Sequence, residues 1–219
     1  METKRQRRAT DIARQSIAPL SARGVRNSRL ADIGDSIGMT GAHLLYYFES
    51  KTALFLASLQ IVEQDLRQSA AEAFAQRESA HERWEWLLSA ATPEDRYDSN
   101  LALWLEAWTE AAHDEDVRVR VEALESDWHE LVRGVLEYGK DRGELPADLD
   151  VGYFVEGFAA LLDGLCLRVV VGYRNLSKES VIDLCRVFSQ PFLQWSATGA
   201  APLGANLGAG AHTPSRGQA

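Results

Sequence analysis

Residues 28–48 read Ser-Arg-Leu-Ala-Asp-Ile-Gly-Asp-Ser-Ile-Gly-Met-Thr-Gly-Ala-His-Leu-Leu-Tyr-Tyr-Phe, and this window restricts the fold more than any other. Two glycines four residues apart, with a threonine just beyond, suit two short helices that cross steeply around a tight turn. Gly34 is small where the second backbone must come close, and Gly38 tolerates positive φ in the turn. Thr40 offers its hydroxyl to the unpaired N–H groups that open the next helix. Ile33, Ile37, Met39, Leu44 and Tyr47 fall at spacings that turn them to one buried side. A plain helical hairpin meets some of these requirements; a helix-turn-helix meets all of them.

The rest of the 219-residue chain is also helical in pattern, so the expected fold class is all-α. No stretch has the strand–turn–strand punctuation of an antiparallel sheet. Val117, Val121, Leu124, Trp128, Leu131, Val135 and Tyr138 recur at steps of four and three on one face. Asp114, Glu115 and Asp116 open that helix, and Lys140 and Arg142 close it before Gly143, as the helix dipole favours. Ser79-Ala-His-Glu82 matches a capping box. Thr92-Pro93 breaks the chain before a stripe of Leu101, Trp104, Leu105 and Trp108. Ser177 opens a last helix carrying Val181, Leu184, Phe188 and Phe192, which Pro191 should kink or shorten; Pro19 should bend the first helix in the same way. The expected organisation is a helix-turn-helix domain over 1–54, a helical bundle over 55–196, and a disordered Ala/Gly/Pro tail over 197–219.

Charge divides along the same line. Residues 1–56 carry nine basic and five acidic side chains, a net of +4, while the remainder carries 14 basic and 27 acidic, a net of −13. The overall −9 is therefore an average over a basic module and an acidic one, and it does not exclude nucleic acid. Two cysteines, Cys166 and Cys185, exclude a disulfide-dense scaffold and a four-thiolate metal site. They read as core thiols, and no metal or cofactor is expected. The basic first residues are followed by no apolar run, so no signal peptide is expected. The most apolar stretch, 158–171, is short and carries Asp163 and Arg168, so no membrane partner is expected and the chain reads as cytoplasmic.

With these residues in view, the first 60 or so positions resemble the DNA-binding domain of the tetracycline-repressor (TetR) family of transcriptional regulators. Ile12, Ser16, Ile17 and Leu20 followed by Ala22-Arg-Gly24 resemble that family's opening helix, and Ser28–Gly34 its capped second helix. Ile37-Gly-Met-Thr40 resembles its turn. Leu44-Leu-Tyr-Tyr-Phe-Glu-Ser-Lys51, leading into Ala53-Leu54, is similar to the signature that enters the fourth helix. Gly41-Ala42 and Leu45 depart from residues frequent there. The resemblance implies a regulator, a repressor by expectation, that binds a near-palindromic double-stranded DNA operator as a homodimer and is released by a small-molecule effector. His43 and Tyr46 are then the groups for base edges, and Gly41 and Ala42 allow close approach. Arg29, Thr40, Tyr47 and Lys51 suit phosphates. The Lys4–Arg8 cluster reads either as an ordered arm on DNA or as a solvated terminus.

The resemblance further implies that the acidic remainder binds the effector and dimerises. Trp86, Trp104, Trp108, Trp128, Phe154, Phe158 and Asp163 are the candidates for the pocket. Leu161, Leu165, Val169, Leu184, Phe188 and Phe192 are the candidates for the dimer seam. The segments 101–112 and 163–165 resemble the branch that contains choline-responsive betaine-pathway repressors. Tryptophan faces with Glu106, Glu156 or Asp163 nearby suit a cation. Gly134–Lys140 fits the start of a phosphate-binding loop, but Asp141 follows instead of Ser or Thr, and no strand precedes it. His129-Glu130 lacks a second histidine, so no enzymatic site is expected. The competing reading is a helical small-molecule-binding protein or enzyme with a vestigial DNA module.

Overall fold

A computed structural model describes residues 3–196; the expected tail over 197–219 lies outside the described residues. Most helices open on a side-chain oxygen that takes the free N–H groups of the first turn. Thr3 caps α1 (Lys4–Arg23), Thr40 caps α3 (Gly41–Tyr47) and Ser50 caps α4 (Lys51–Phe74). Ser79 does so for α5 (Ala80–Ala91), Asp98 for α6 (Ser99–Ala111) and Asp114 for α7 (Glu115–Asp141). Asp150 opens α8 (Val151–Val170) and Ser177 opens α9 (Lys178–Leu193), with a single 3₁₀ turn at Tyr173–Asn175 between them. Among the α-helices of the described residues, only α2 (Leu30–Ser36) begins without a side-chain cap, at Arg29. Ser28, expected to cap it, instead donates its hydroxyl to the Gly24 carbonyl at 2.8 Å. No strand occurs among the described residues.

Pro19 does not end α1, which continues to Arg23, and Pro191 lies two residues before the end of α9. The Lys4–Arg8 cluster is not a loose terminus: it opens α1, held by a capping box between Thr3 and Gln6. The box expected at Ser79–Glu82 is only half present. Ser79 accepts from His81 and Glu82, but the Glu82 side chain takes no bond back from the Ser79 N–H; the neighbouring Ala80 N–H goes to Glu144, 2.7 Å away. Glu144 is buried. Burial alone raises its carboxyl, but Arg142, the Ala80 and His81 N–H groups and the Ser79 hydroxyl outweigh that and hold it below the ordinary range.

The buried side chains form two cores. The first joins α1–α4 to α6 and the start of α7 through Ile12, Leu20, Ile33, Leu44, Phe55, Leu103, Ala107 and Val121. Within it the Ser58 hydroxyl reaches the Ala13 carbonyl at 2.8 Å, tying α1 to α4. The second packs α5, the end of α7, α8 and α9 around Trp84, Leu136, Phe158 and Cys185. Helix α4 runs across the 54/55 boundary, so the helix-turn-helix and the bundle share it as a beam. No helix among the described residues is long and apolar enough to cross a membrane, and no group of metal ligands occurs among them.

Candidate functional site

The crossing of α2 and α3 follows from Gly34. A Cβ built there lies 2.6 Å from the Met39 carbonyl oxygen and 3.0 Å from the Thr40 carbonyl carbon, so only glycine lets the turn fold over the helix. The Gly34 carbonyl accepts from the Met39 N–H at 2.8 Å, and Gly38 supplies φ +70°. Thr40 Oγ1 accepts from the His43 N–H at 3.1 Å. Leu44 anchors α3 inward, which leaves Ala42, His43, Leu45 and Tyr46 outward; Tyr46 is 62% exposed and Leu45 52%. Tyr46 and Tyr47 meet edge-on at 5.0 Å, and the Arg5 guanidinium lies over the Tyr46 ring at 5.3 Å while donating to the Tyr46 carbonyl. Helix α1 thus places a cation beside the exposed face of α3. Gly41 is half-buried, with α2 backbone close over it, and Arg29 is exposed where α2 begins.

Lys51 has a role that its sequence position did not reveal. Its Nζ donates to the Ser28 carbonyl at 2.9 Å and the Arg26 carbonyl at 3.3 Å, so two of its protons hold the α1–α2 loop. Lys51→Ala is expected to lower stability by about 1–3 kcal/mol, the scale of hydrogen bonds to a charged donor. Urea denaturation at fixed protein concentration checks this; an unchanged midpoint means that the loop needs no tie.

In the bundle, a cavity of about 410 Å³ opens between α4, α5, α6, α7 and α8. That volume suits a small-molecule ligand. Trp86, Trp104, Trp108 and Trp128 line it, as does Asp163, with Leu162 and Cys166 beside them. Trp104 and Trp108 lie 6.1 Å apart, and the Trp108 indole N–H donates to Glu125 at 2.6 Å. Phe154 and Phe158 do not line the cavity. They stack on each other at 5.6 Å and pack on Trp84 in the second core, because that side of α8 faces α5. Glu106 and Glu156 are not lining residues either. Glu106 accepts from the Val25 N–H at 2.8 Å, and exposed Glu156 sits 3.6 Å from His129 Nδ1.

The acid that sequence reasoning missed is Glu63 of α4. It lines the cavity, is only 3% exposed, and its Oε1 has no hydrogen-bond partner. The signal was legible: Glu63 falls on the stripe that carries Leu59, Val62 and Leu66, where an acid does not belong. Burial pushes its carboxyl up to about 7, against the pull of Arg67 and with a small push from Asp127. Burial, with Glu125 adding to it, likewise raises Asp163 to about 6. Burial also pushes the Cys166 thiol up and Cys185 up to about 11, which keeps both protonated at neutral pH.

Of the seam candidates, Leu165 and Val169 are buried inside the protomer, where α8 packs on the second core. They form no surface seam. Leu161 is half-buried, while Leu184, Phe188 and Phe192 are exposed together with Val187 along α9. Beside them α8 presents Gly157, Ala160 and Gly164, and the two glycines have nothing within 4 Å of a built Cβ. Gly134–Lys140, which the sequence already argues against as a phosphate-binding loop, is plain α7 helix, in which Gly139 lets Leu145 and Ala80 approach and Lys140 donates to the Leu149 carbonyl.

A helix-turn-helix with an exposed second helix, joined by one long helix to a bundle around a ligand-sized cavity, defines a ligand-responsive DNA-binding regulator. Comparison with known proteins gives the family. Residues 12–58 match the model for bacterial regulatory proteins of the tetR family, and residues 76–193 match the model for the C-terminal domain of BetI-type transcriptional repressors. The chain belongs to the TetR family, with a BetI-type C-terminal domain. The HTH-type transcriptional regulator BetI of Rhizobium meliloti is 27% identical over 203 residues, covering 92% of this chain and 96% of that protein. BetI of Agrobacterium fabrum is 29% identical over 169 residues, covering 77% and 78%. A structure from Saccharomonospora viridis, described as a transcriptional regulator in complex with choline, shares the fold at TM-score 0.75 and 22% identity, covering 85% of this chain and 97% of that one. A TetR transcription regulator from Haloarcula marismortui does so at TM-score 0.74 and 19% identity, covering 86% and 100%.

Proposed function

We propose that the protein works in the cytoplasm as a homodimer that grips a near-palindromic double-stranded operator and releases it when a small organic cation fills the tryptophan-walled cavity. His43, Tyr46 and Ala42 on the outward face of α3 meet base edges, and Gly41 lets the backbone come close. Arg29, Thr40, Tyr47 and Arg5 flank that face for phosphates. The second copy covers the exposed band of Leu184, Val187, Phe188 and Phe192 beside the small residues of α8. Two-fold pairing there sets the two recognition helices at a fixed separation, as a near-palindrome requires. A cation is favoured because indole faces and carboxylates line one cavity, and the choline-bound neighbour shares this fold.

One observation carries the control by ligand: α6 touches both sites. Trp104 and Trp108 line the cavity, while Glu106 on the same helix holds the Val25 N–H and Glu110 pairs with Arg26 at 2.6 Å. These two bonds fix the loop from which α2 starts, and Gly24 lies so close that a built Cβ meets Glu106 Oε1 at 3.0 Å. A ligand that shifts α6 therefore shifts the seat of the helix-turn-helix, a coupling through differential affinity of two states. Glu106→Ala is expected to keep ligand binding and to shrink the ligand-induced loss of DNA affinity several-fold. Paired calorimetry and DNA anisotropy titrations read the two quantities separately. An undiminished response in this variant removes α6 from the coupling.

A further inference from the structure

We infer that the cavity is built for an α,ω-diamine, a flexible cation with an N–H-bearing ammonium at each end, in preference to a quaternary ammonium such as choline. This rests on the reading that a cation is the effector, and it adds which cation. Five carboxylates line the cavity, and three of them are already engaged. Asp65 pairs with Arg14, Asp98 caps α6, and Glu125 accepts from the Trp108 indole. Glu63 and Asp163 remain without a hydrogen-bond donor. They stand on α4 and α8, helices that make no substantial contact with each other, so the cavity lies between them.

The orphaned Glu63 Oε1 is the observation that points to N–H. A buried carboxylate oxygen without a donor is a costly feature that native proteins rarely keep. A tetraalkylammonium nitrogen has no hydrogen to give it. Choline brings one hydroxyl and one charge, which leaves one of the two carboxylates uncompensated. A diamine brings two charges and six N–H donors, and its methylene chain suits the indole walls between. The other charged or titratable groups lining this space are Asp65 on α4, Asp98 at the start of α6, Glu125 and His129 on α7, and Cys166 on α8, while Arg67 and Asp127 act on Glu63 from beside the cavity. Arg67 is held by Asp127 at 2.9 Å, so it does not neutralise Glu63 outright. Burial disfavours the charged forms, so the site keeps a proton on Glu63 up to about pH 7 and on Asp163 only up to about pH 6. Binding a dication expels those protons, so diamine affinity rises with pH through the range 6–8.

The test is calorimetry of the full-length protein with 1,4-diaminobutane, 1,5-diaminopentane and choline at pH 6 and pH 8. At pH 8 at least one diamine is expected to bind at least tenfold more tightly than choline, and its binding is expected to weaken several-fold at pH 6. Glu63→Gln and, independently, Asp163→Asn are each expected to erase most of the diamine preference. Far-UV circular dichroism reports whether either variant has lost its helices. Choline binding as tightly as the diamines, or a preference that survives both substitutions, overturns the inference while leaving the cation-effector reading intact. If neither class binds, both fall.

Discussion

Gly34→Ala is expected to remove specific DNA binding, a large effect for a single methyl group. The added Cβ meets backbone on every near side: the Met39 oxygen at 2.6 Å, the Thr40 carbonyl carbon at 3.0 Å and the Gly41 nitrogen at 3.2 Å. None of these atoms is the end of a flexible side chain, so the whole turn must move. The turn is also held by the Ile37 and Met39 N–H groups on the Gly34 carbonyl, and moving it strains those bonds. Overpacking of this kind costs about 1–3 kcal/mol in stability. The effect on DNA is greater, because α3 carries its base contacts rigidly and each misplaced contact costs about 1–3 kcal/mol. Specific affinity is expected to fall a hundredfold or more, with non-specific binding at low salt largely retained. Gly38→Ala is the comparator. Its Cβ meets nothing within 4 Å, so only the φ of +70° is penalised, at about 1 kcal/mol. Anisotropy titrations in which the two variants behave alike contradict the close approach at Gly34.

The second large effect is on stability. Glu63→Gln is expected to make the ligand-free protein more stable at pH 8 by up to about 3 kcal/mol, and to change it little at pH 4. Glu63 has a carboxyl near 7 in the folded protein against 4.5 ordinarily, because burial opposes its charge. The folded state therefore binds this proton more tightly than the unfolded state does. Between those two pH values stability falls as pH rises, and above the upper one the full cost of the buried charge is present. Glutamine carries no charge and escapes that cost, while below the lower value both side chains are neutral. Urea denaturation of both proteins at pH 4 and pH 8, at one protein concentration, reads the difference. Equal differences at both values mean that Glu63 is fully compensated when ionised. Asp163, also raised by burial, acts in the same direction over a lower range.

These effects differ in how visible they were from sequence, and the reason is physical. The helix-turn-helix was legible because its turn admits few residue types: Gly34, Gly38 and Thr40 each answer a backbone demand. The openings at Asp114 and Ser177 were legible for the same reason. The cavity was only half legible. Trp84 and Trp86 are two residues apart on α5, so they cannot share a face; composition counts both as aromatic, while packing sends Trp84 to Phe158 and Trp86 to the cavity. Phe154 and Phe158 follow Trp84 inward. Hydrophobicity, the sequence signal for a seam, marks the inward side of α8 through Leu165 and Val169. The outward side is Gly157, Ala160 and Gly164, small residues that no apolar count highlights. The charge of Lys51 suits a phosphate and is visible in sequence, whereas the loop carbonyls that it binds appear only once the chain turns at Gly24.

The most direct test of ligand control is an anisotropy titration of the full-length protein onto a DNA fragment selected by the protein from genomic DNA. It is repeated with 1,4-diaminobutane and with choline at concentrations that calorimetry shows to be saturating. The expected result is binding at least about a thousandfold tighter than to random DNA. A bound cation is expected to weaken it by about 5–150-fold, the usual range of coupling between two sites. DNA affinity unchanged by a cation that demonstrably fills the cavity would contradict the coupling of the tryptophan-walled site to α3.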